Sequence, residues 1–260
     1  MSMNRSLIAL LLALSTFAPL WAQDEKLDDL SFEEAPLKDE AVPYFAIGVG
    51  PVFNFIFADT KDVNAQALAL GLSEINSPIF QLGAEIFTAV GVIPNLRLGF
   101  SWISGSAASS ADITVTGTAA KRTMLYGISS RTFHLDYAWV PVKSLAILPG
   151  VGLGWGEQRI EMYQSAAQID WNQIIDPSSL APLPNAYTIL QQNTLYIQPR
   201  LNIEYAVTPF LNLRLQGAYT LMVSKSDWTG NRNALVNNVP DNISVSGLNL
   251  QFGVFVGLFN

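Results

Sequence analysis

The chain has 260 residues, half of them hydrophobic and only 13% charged, with no cysteine, a single histidine and a formal net charge of −7. The missing cysteine excludes disulfides, a lipid-anchored lipobox and Cys-based metal or redox chemistry. The acidic balance speaks against nucleic acid, which needs clustered Lys and Arg. At the N-terminus, Arg5 precedes an apolar run from Leu7 to Trp21, and Ala22 is followed by Gln23, Asp24 and Glu25. That order reads as a Sec-type signal peptide, residues 1–22, expected to be cleaved after Ala22. Residues 23–42 hold Asp24, Glu25, Asp28, Asp29, Glu33, Glu34, Asp39 and Glu40 against Lys26 and Lys38. Such a stretch is expected to be a solvated acidic extension rather than part of the fold.

After residue 22 no apolar segment is long enough for a spanning helix of about 20 residues. The nearest, Ala41 to Ala58, carries Pro43, Gly48, Gly50, Pro51 and Asn54, a poor mixture for a helix. An exported chain this apolar and without spanning helices satisfies its backbone by closing strands into a barrel. The elements from Phe45 onward have a period of two. Phe45 to Phe55 sets Phe45, Ile47, Val49, Phe53 and Phe55 against Ala46, Gly48, Gly50 and Asn54. Phe80 to Val90 opposes Phe80, Leu82, Ala84, Ile86 and Val90 to Gln81, Gly83 and Glu85. Leu96 to Trp102 and Phe133 to Trp139 put Arg97, Gly99, Ser101, Thr132, His134 and Asp136 on the polar side. Leu145 to Trp155 puts Gly150, Gly152 and Gly154 there. Leu195 to Tyr205 and Leu211 to Val223 alternate most clearly, with Tyr196, Gln198, Arg200, Asn202, Glu204, Asn212, Arg214 and Gln216 on one face. Leu248 to Leu258 closes the series with Asn249, Gln251 and Gly253 inward. A strand wall between lipid and a polar interior needs this alternation.

The connections alternate too. Val92–Leu96, Val140–Leu145 and Val207–Asn212 are tight, whereas Ala58–Ser77, Gly105–Arg122, Glu161–Gln192 and Ser224–Ser244 are long and polar. Short periplasmic turns and long extracellular loops are the pattern of an up-and-down membrane barrel, not of a Greek-key sandwich. Tyr137, Trp139, Tyr205 and Phe210 fall at the short-turn end, as an aromatic girdle would. Pro51, Pro149 and Pro199 each delete a ladder donor and are expected at bulges or strand starts. The expected fold is therefore all-β: a transmembrane up-and-down antiparallel barrel over residues 43–260, of eight strands, or ten if Glu161–Gln192 hides a further hairpin.

From Pro43 to Asn260 the chain resembles the eight-stranded outer-membrane barrel superfamily that includes the OmpA, OmpX and OmpW types. The carriers are the strand–turn alternation, Leu148-Pro149-Gly150-Val151-Gly152, Ile197-Gln198-Pro199-Arg200-Leu201 with Glu204-Tyr205, and an aromatic near the C-terminus. These families end on Phe, whereas here Phe259 is penultimate to Asn260. The resemblance implies the bacterial outer membrane as location, with membrane lipid and lipopolysaccharide as neighbours and the barrel-assembly machinery as the inserting partner. It implies no cofactor and a non-enzymatic role, structural, adhesive or in surface contact, with the outer loops facing any partner. An OmpW-like narrow channel for small or apolar solutes is the alternative, and a lipid-modifying enzyme a distant third.

Inside such a barrel the ionisable positions would be Glu85, Arg97, His134, Asp136, Arg200, Glu204 and Arg214. An eight-stranded barrel barely holds its own side chains, and charges there must be paired. Three Arg against two Glu and one Asp can form a self-compensating plug, or a polar constriction that selects solutes. His134 is the one histidine through which a catalytic triad could pass, with Asp136 and Ser130 on its face. It lies toward the periplasmic end, away from outer-leaflet lipid, and a single His does not build the usual metal sites. Gly48, Gly50, Gly150, Gly152, Gly154, Gly156 and Gly253 all fall inward, marking either tight curvature and close strand approach or space for an apolar ligand. Ala65, Leu68, Leu72 and Ile75 have weak helical spacing in the first long connection. The third carries Ile169, Trp171, Ile174, Ile175, Leu180, Leu183 and Tyr187, which would pack within the loop or face a partner.

Overall fold

A computed structural model describes residues 44–115, 117–166, 186–240 and 242–260. The expected signal peptide, the acidic extension and most of the third long connection lie outside these residues. In chain order the elements are β1 (Ala46–Ala58), α1 (Lys61–Ala69), β2 (Ile79–Ala89), β3 (Leu96–Val115) and β4 (Thr118–Tyr137). They continue with β5 (Trp139–Val142), β6 (Leu145–Ala166), β7 (Ala186–Thr208) and β8 (Leu211–Lys225). The last are β9 (Thr229–Gly230), β10 (Ala234–Leu235) and β11 (Gly247–Phe259).

Sequential strands pair antiparallel through β1, β2, β3, β4, β6, β7, β8 and β11. β11 then pairs β1, from Ala46 opposite Phe259 to Ala58 opposite Gly247. That last pairing closes a ring of eight staves and leaves no edge within the membrane, as a lipid environment demands. The ten-strand alternative fails because residues near the third connection only lengthen β6 and β7, which pair with each other as far as Gln164 opposite Ala186.

Each stave turns its alternate residues to one side, and the parity follows the sequence. Ile47, Val49, Phe55, Leu98, Leu135, Leu153, Leu201 and Leu215 are exposed on the outer wall, while Asn54, Glu85, Arg97, His134, Arg200 and Arg214 are buried. Along β6 the outward apolar series runs from Leu145 to Trp155. Eleven strand residues at roughly 3.3 Å each, tilted by about 40°, span about 25 Å, the height of a lipid-facing band. Tyr137, Trp139, Tyr205 and Phe210 are exposed at the short-turn boundary and Trp102 and Trp155 at the other.

Two expectations about the staves are corrected. Gly105–Arg122 is not chiefly a loop, and both ends of Glu161–Gln192 are strand, residues 167–185 lying outside the described residues: β3 and β4 stay paired to Val115 opposite Thr118, and β6 and β7 to residues 164 and 186. Their polar appearance comes from an inversion of the pattern. Beyond Trp102 the outward row of β3 becomes Ser104, Ser106, Ala108 and Ser110, and beyond Trp155 that of β6 becomes Glu157, Arg159 and Glu161, while Ile103, Tyr126 and Ile160 turn inward. Water replaces lipid outside, so the apolar side moves to the core. The three prolines also sit differently from expectation. Each faces outward in mid-strand, with the ladder interrupted on one flank and the register unchanged. Val49 pairs Val256 and Val52 pairs Gly253 around Pro51; Asp136 pairs Gly150 and Trp139 pairs Ile147 around Pro149; Ile197 pairs Leu221 and Arg200 pairs Ala218 around Pro199. On the other flank Pro51, Pro149 and Pro199 stay opposite Ala84, Leu201 and Val151. A proline costs the ladder one donor on one side, and these staves accept that without a bulge.

Candidate functional site

The interior is filled in three layers. At the short-turn end all seven ionisable residues named from the sequence come together, each buried. Glu85 on β2 accepts from Nη1 of Arg214 and from Nη2 of Arg200 at 3.3 Å, with Gln251 at 3.3 Å on its second oxygen. Asp136 on β4 accepts from Nη2 and Nε of Arg97 at 2.7 and 3.2 Å. Glu204 on β7 accepts from Arg97, from Nε of Arg214 at 2.6 Å and from Asn212 at 2.9 Å. Three guanidinium groups therefore face three carboxylates from five staves, and the formal charge of these six groups cancels. Cancellation is what allows burial, since one unpaired charge in this setting would cost several kcal/mol.

His134 is held between two carboxylates, with Nδ1 3.2 Å from Asp136 and Nε2 3.1 Å from Glu85. A neutral imidazole carries one N–H and donates to only one of them. The ring fits because Gly99 faces it across the β3–β4 pair: a Cβ on Gly99 would overlap the imidazole. Gly154 does the same for the Tyr196 ring. The ligand-space reading is corrected at Gly48, Gly152, Gly154 and Gly253, where inward side chains take the room, whereas Gly50 and Gly156 lie against the backbone oxygens of Val254 and Ser129, the close strand approach that the sequence suggested.

Two inward aromatic residues, Phe87 and Phe255, escaped the reading of the sequence. Phe87 and Phe255 are fully buried on the polar side, and Phe259 packs beside them. The guanidinium groups of Arg97 and Arg214 each lie 4.5 Å from the centre of the Phe87 ring, and that of Arg214 lies 4.1 Å from Phe255. Nη2 of Arg214 has no hydrogen-bond partner, and the aromatic face beside it supplies the compensating attraction. Strict parity with Glu85 and Gly253 was the signal for Phe87 and Phe255. Tyr44, just before β1, completes the layer: its hydroxyl donates to Glu204 at 3.2 Å and accepts from Arg97 at 3.3 Å. Burial pushes that hydroxyl above the ordinary phenol range.

Above this layer lie amides and hydroxyls. Asn54 donates to Gln81 and Asn249 at 2.7 and 3.1 Å, Asn249 to Thr220 at 2.9 Å, and Thr132 bonds Tyr196 at 2.7 Å. The cavity among them has about 20 Å³ of free space, close to what one water needs. The third layer seals the outer mouth with an apolar cluster. Val63 and Ala67 of α1, with Leu72 and Ile75, pack on Met124, Tyr126, Ile128 and Ile160, and Trp228, Ile243 and Val245 cover them from the last connection. The face expected from helical spacing is partly wrong: Leu72 and Ile75 are buried, but Ala65 and Leu68 are exposed and Val63 and Ala67 take their place.

No protein-family model matches the chain, and no curated protein matches it by sequence. Solved structures with a similar layout include Ail, the attachment invasion locus protein of Yersinia pestis, at 6% identity, with 84% of this chain and 99% of that one covered and a TM-score of 0.39. CarO2 of Acinetobacter baumannii is 9% identical, with 83% and 100% covered and a TM-score of 0.38. A major outer membrane protein of Thermus thermophilus is 10% identical, with 82% and 99% covered and a TM-score of 0.44. The closed ring and its lipid-facing band decide the fold. It is a closed eight-stranded antiparallel β-barrel of the transmembrane kind. Within that barrel the charged layer lies toward the short turns and the apolar seal toward the long connections.

Proposed function

We propose that this barrel lies in the bacterial outer membrane and is closed and non-enzymatic, with a structural and surface-contact role. The observation that carries the reading is the interior, occupied in succession by an ion-paired layer, an amide layer and an apolar seal, with free space in the middle layer for about one water. A solute-selecting constriction needs an open path, and nothing in these layers favours one. The lipid-modifying reading is opposed by His134, enclosed between Glu85 and Asp136 on the inner side of the wall, where lipid does not reach. The surface-contact part of the role draws on strand length. β3, β4, β6 and β7 have 20 to 23 residues, whereas crossing the bilayer takes about 9–11. The surplus of about ten residues on each lifts a four-stranded wall roughly 30 Å along the strand direction beyond the lipid. In this reading outer-membrane lipid and lipopolysaccharide surround the barrel, and the barrel-assembly machinery inserts it.

Swelling of liposomes carrying the refolded protein tests the closed interior. Liposomes in isotonic glycine or arabinose should swell no faster than protein-free ones. Swelling that scales with protein content would replace this reading with a small-solute channel.

A further inference from the structure

The last connection, between β8 and β11, has two sides at the outer mouth. One side joins the apolar seal: Trp228 is 5% exposed and packs there, with Val236 and Val239 against the same cluster. β9 and β10 fold back on each other, Thr229 opposite Leu235 and Gly230 opposite Ala234, and the amide of Val236 donates to the Trp228 carbonyl at 3.0 Å. The other side borders a cavity of about 410 Å³, whose lining includes Gln192, Asp227, Trp228, Val236, Asn237 and Asn238. Small-molecule sites span roughly 300–1,000 Å³, and the middle layer of the interior, with about 20 Å³ free, is far below that range.

The base of this cavity is fixed. Gln192 is buried, accepts from Gln158 at 3.2 Å and donates to the Ser226 carbonyl at 2.8 Å. Gln158 in turn accepts from the Tyr126 hydroxyl at 2.8 Å. Ser226 is tied to Asn193 in both directions, its amide donating at 2.9 Å and its hydroxyl accepting at 3.0 Å. A buried indole N–H usually finds an acceptor. That of Trp228 has none among the described residues, yet it is not one of the unsatisfied groups sealed from solvent, so it opens onto the space that Trp228 lines. The side chains of Asp227, Asn237 and Asn238 on the exposed rim have no partner among the described residues either.

This set selects by chemistry. Lys225 and Asp227, both on the lining, cancel in formal charge. A phosphate or sulfate would meet one ammonium beside a carboxylate, and a divalent cation would meet a single carboxylate, short of the oxygen set it takes. Two amides, a carboxylate and an indole N–H stand beside valine side chains, so donors, acceptors and an apolar wall share one space. A pyranose ring carries the complement: hydroxyls along its edge that both donate and accept, and C–H groups on its faces. We infer that this cavity binds one pyranose residue of a neutral glycan. Asp227 and Asn237 take its hydroxyls, and the Trp228 N–H donates to one of its oxygens. The inference deepens the surface-contact reading, whose partner it names by class, and does not require the lumen to be closed.

The probes are the methyl glycosides of glucose, galactose, mannose and N-acetylglucosamine, beside the free reducing sugars. Each is titrated into the protein in lipid nanodiscs and followed by saturation-transfer NMR, with empty nanodiscs, sorbitol and glucuronate as controls. Saturable binding of at least one methyl glycoside, and of neither sorbitol nor glucuronate, is expected. Asp227→Ala and Asn237→Ala should keep the heat-modifiable mobility of the folded barrel and weaken that binding about tenfold, the loss of roughly one hydrogen bond. Trp228→Phe removes the N–H while keeping an aromatic ring in the seal, and should weaken binding as well. No binding of any methyl glycoside, or binding that neither rim variant alters, would overturn the site. Glucuronate bound in place of the neutral sugars would overturn the neutral class. Binding of the free reducing sugars alone would overturn the glycan and assign the cavity to a free sugar. Liposome swelling reports only on the lumen, so failure of the closed-barrel reading and failure of the saccharide site appear in different measurements.

Discussion

The two ends of the barrel interior solve the same packing problem with opposite chemistry. At the short-turn end the outer wall faces lipid, and the core is a cancelled set of charges stacked on Phe87 and Phe255. At the long-connection end the wall faces water, and the core is aliphatic and aromatic, built around Tyr126, Ile160 and Trp228. Solvent outside the wall decides which row must be apolar, and the inner row takes the complement. The crossover falls at one level on four adjacent staves, where Trp102, Arg131, Trp155 and Leu195 lie opposite one another.

Substitutions at each end should separate the two kinds of core. Arg214→Ala should have the largest effect. It leaves Glu85 with one fewer cation, removes a partner of Glu204, and strips the guanidinium from two aromatic faces. Breaking a buried pair in this way costs about 3–5 kcal/mol, measurable as a lower urea midpoint for unfolding from lipid bilayers. Ile75→Ala in the apolar seal should cost about 2–5 kcal/mol, toward the lower end if the first connection collapses into the gap. Protease cleavage of that connection should rise while the heat-modifiable mobility of the barrel persists.

Gly99→Ala should come third, at about 1–3 kcal/mol, because the new methyl must displace the His134 ring from between its carboxylates. Urea titration of that variant distinguishes this packing role from simple chain flexibility, for which alanine would be harmless or stabilising. Arg159→Ala should be the smallest. Its 2.9 Å pair with Glu161 is on the solvated wall, where such bridges contribute about 1 kcal/mol or less, and an unchanged urea midpoint is expected.

Much of this was legible in the sequence, for a physical reason. A period of two with an apolar outer row leaves its mark residue by residue, so Leu195–Tyr205 and Leu211–Val223 identified not only strands but the inward direction of Arg200, Glu204 and Arg214. Charge balance among inward residues anticipated that they would meet. The upper halves of β3, β4, β6 and β7 were hidden because their polarity inverts. A search for lipid-facing hydrophobes sees Ser104 or Glu157 and reads a loop, although the alternation continues. Inward glycines were ambiguous because a missing side chain says nothing about what fills its place; the facing residues, His134 and Tyr196, are known only once register is known. Phe87 and Phe255 looked like lapses in a polar row, and their role needs the two arginines that cross from other staves.

The central claim is that the interior is closed along its length, and single-channel recording of the refolded protein in a planar bilayer tests it most directly. Folding should first be confirmed by heat-modifiable gel mobility. A folded protein that leaves the bilayer silent at either polarity is the expected result. Discrete, reproducible openings would contradict it and require the charged and apolar layers to part.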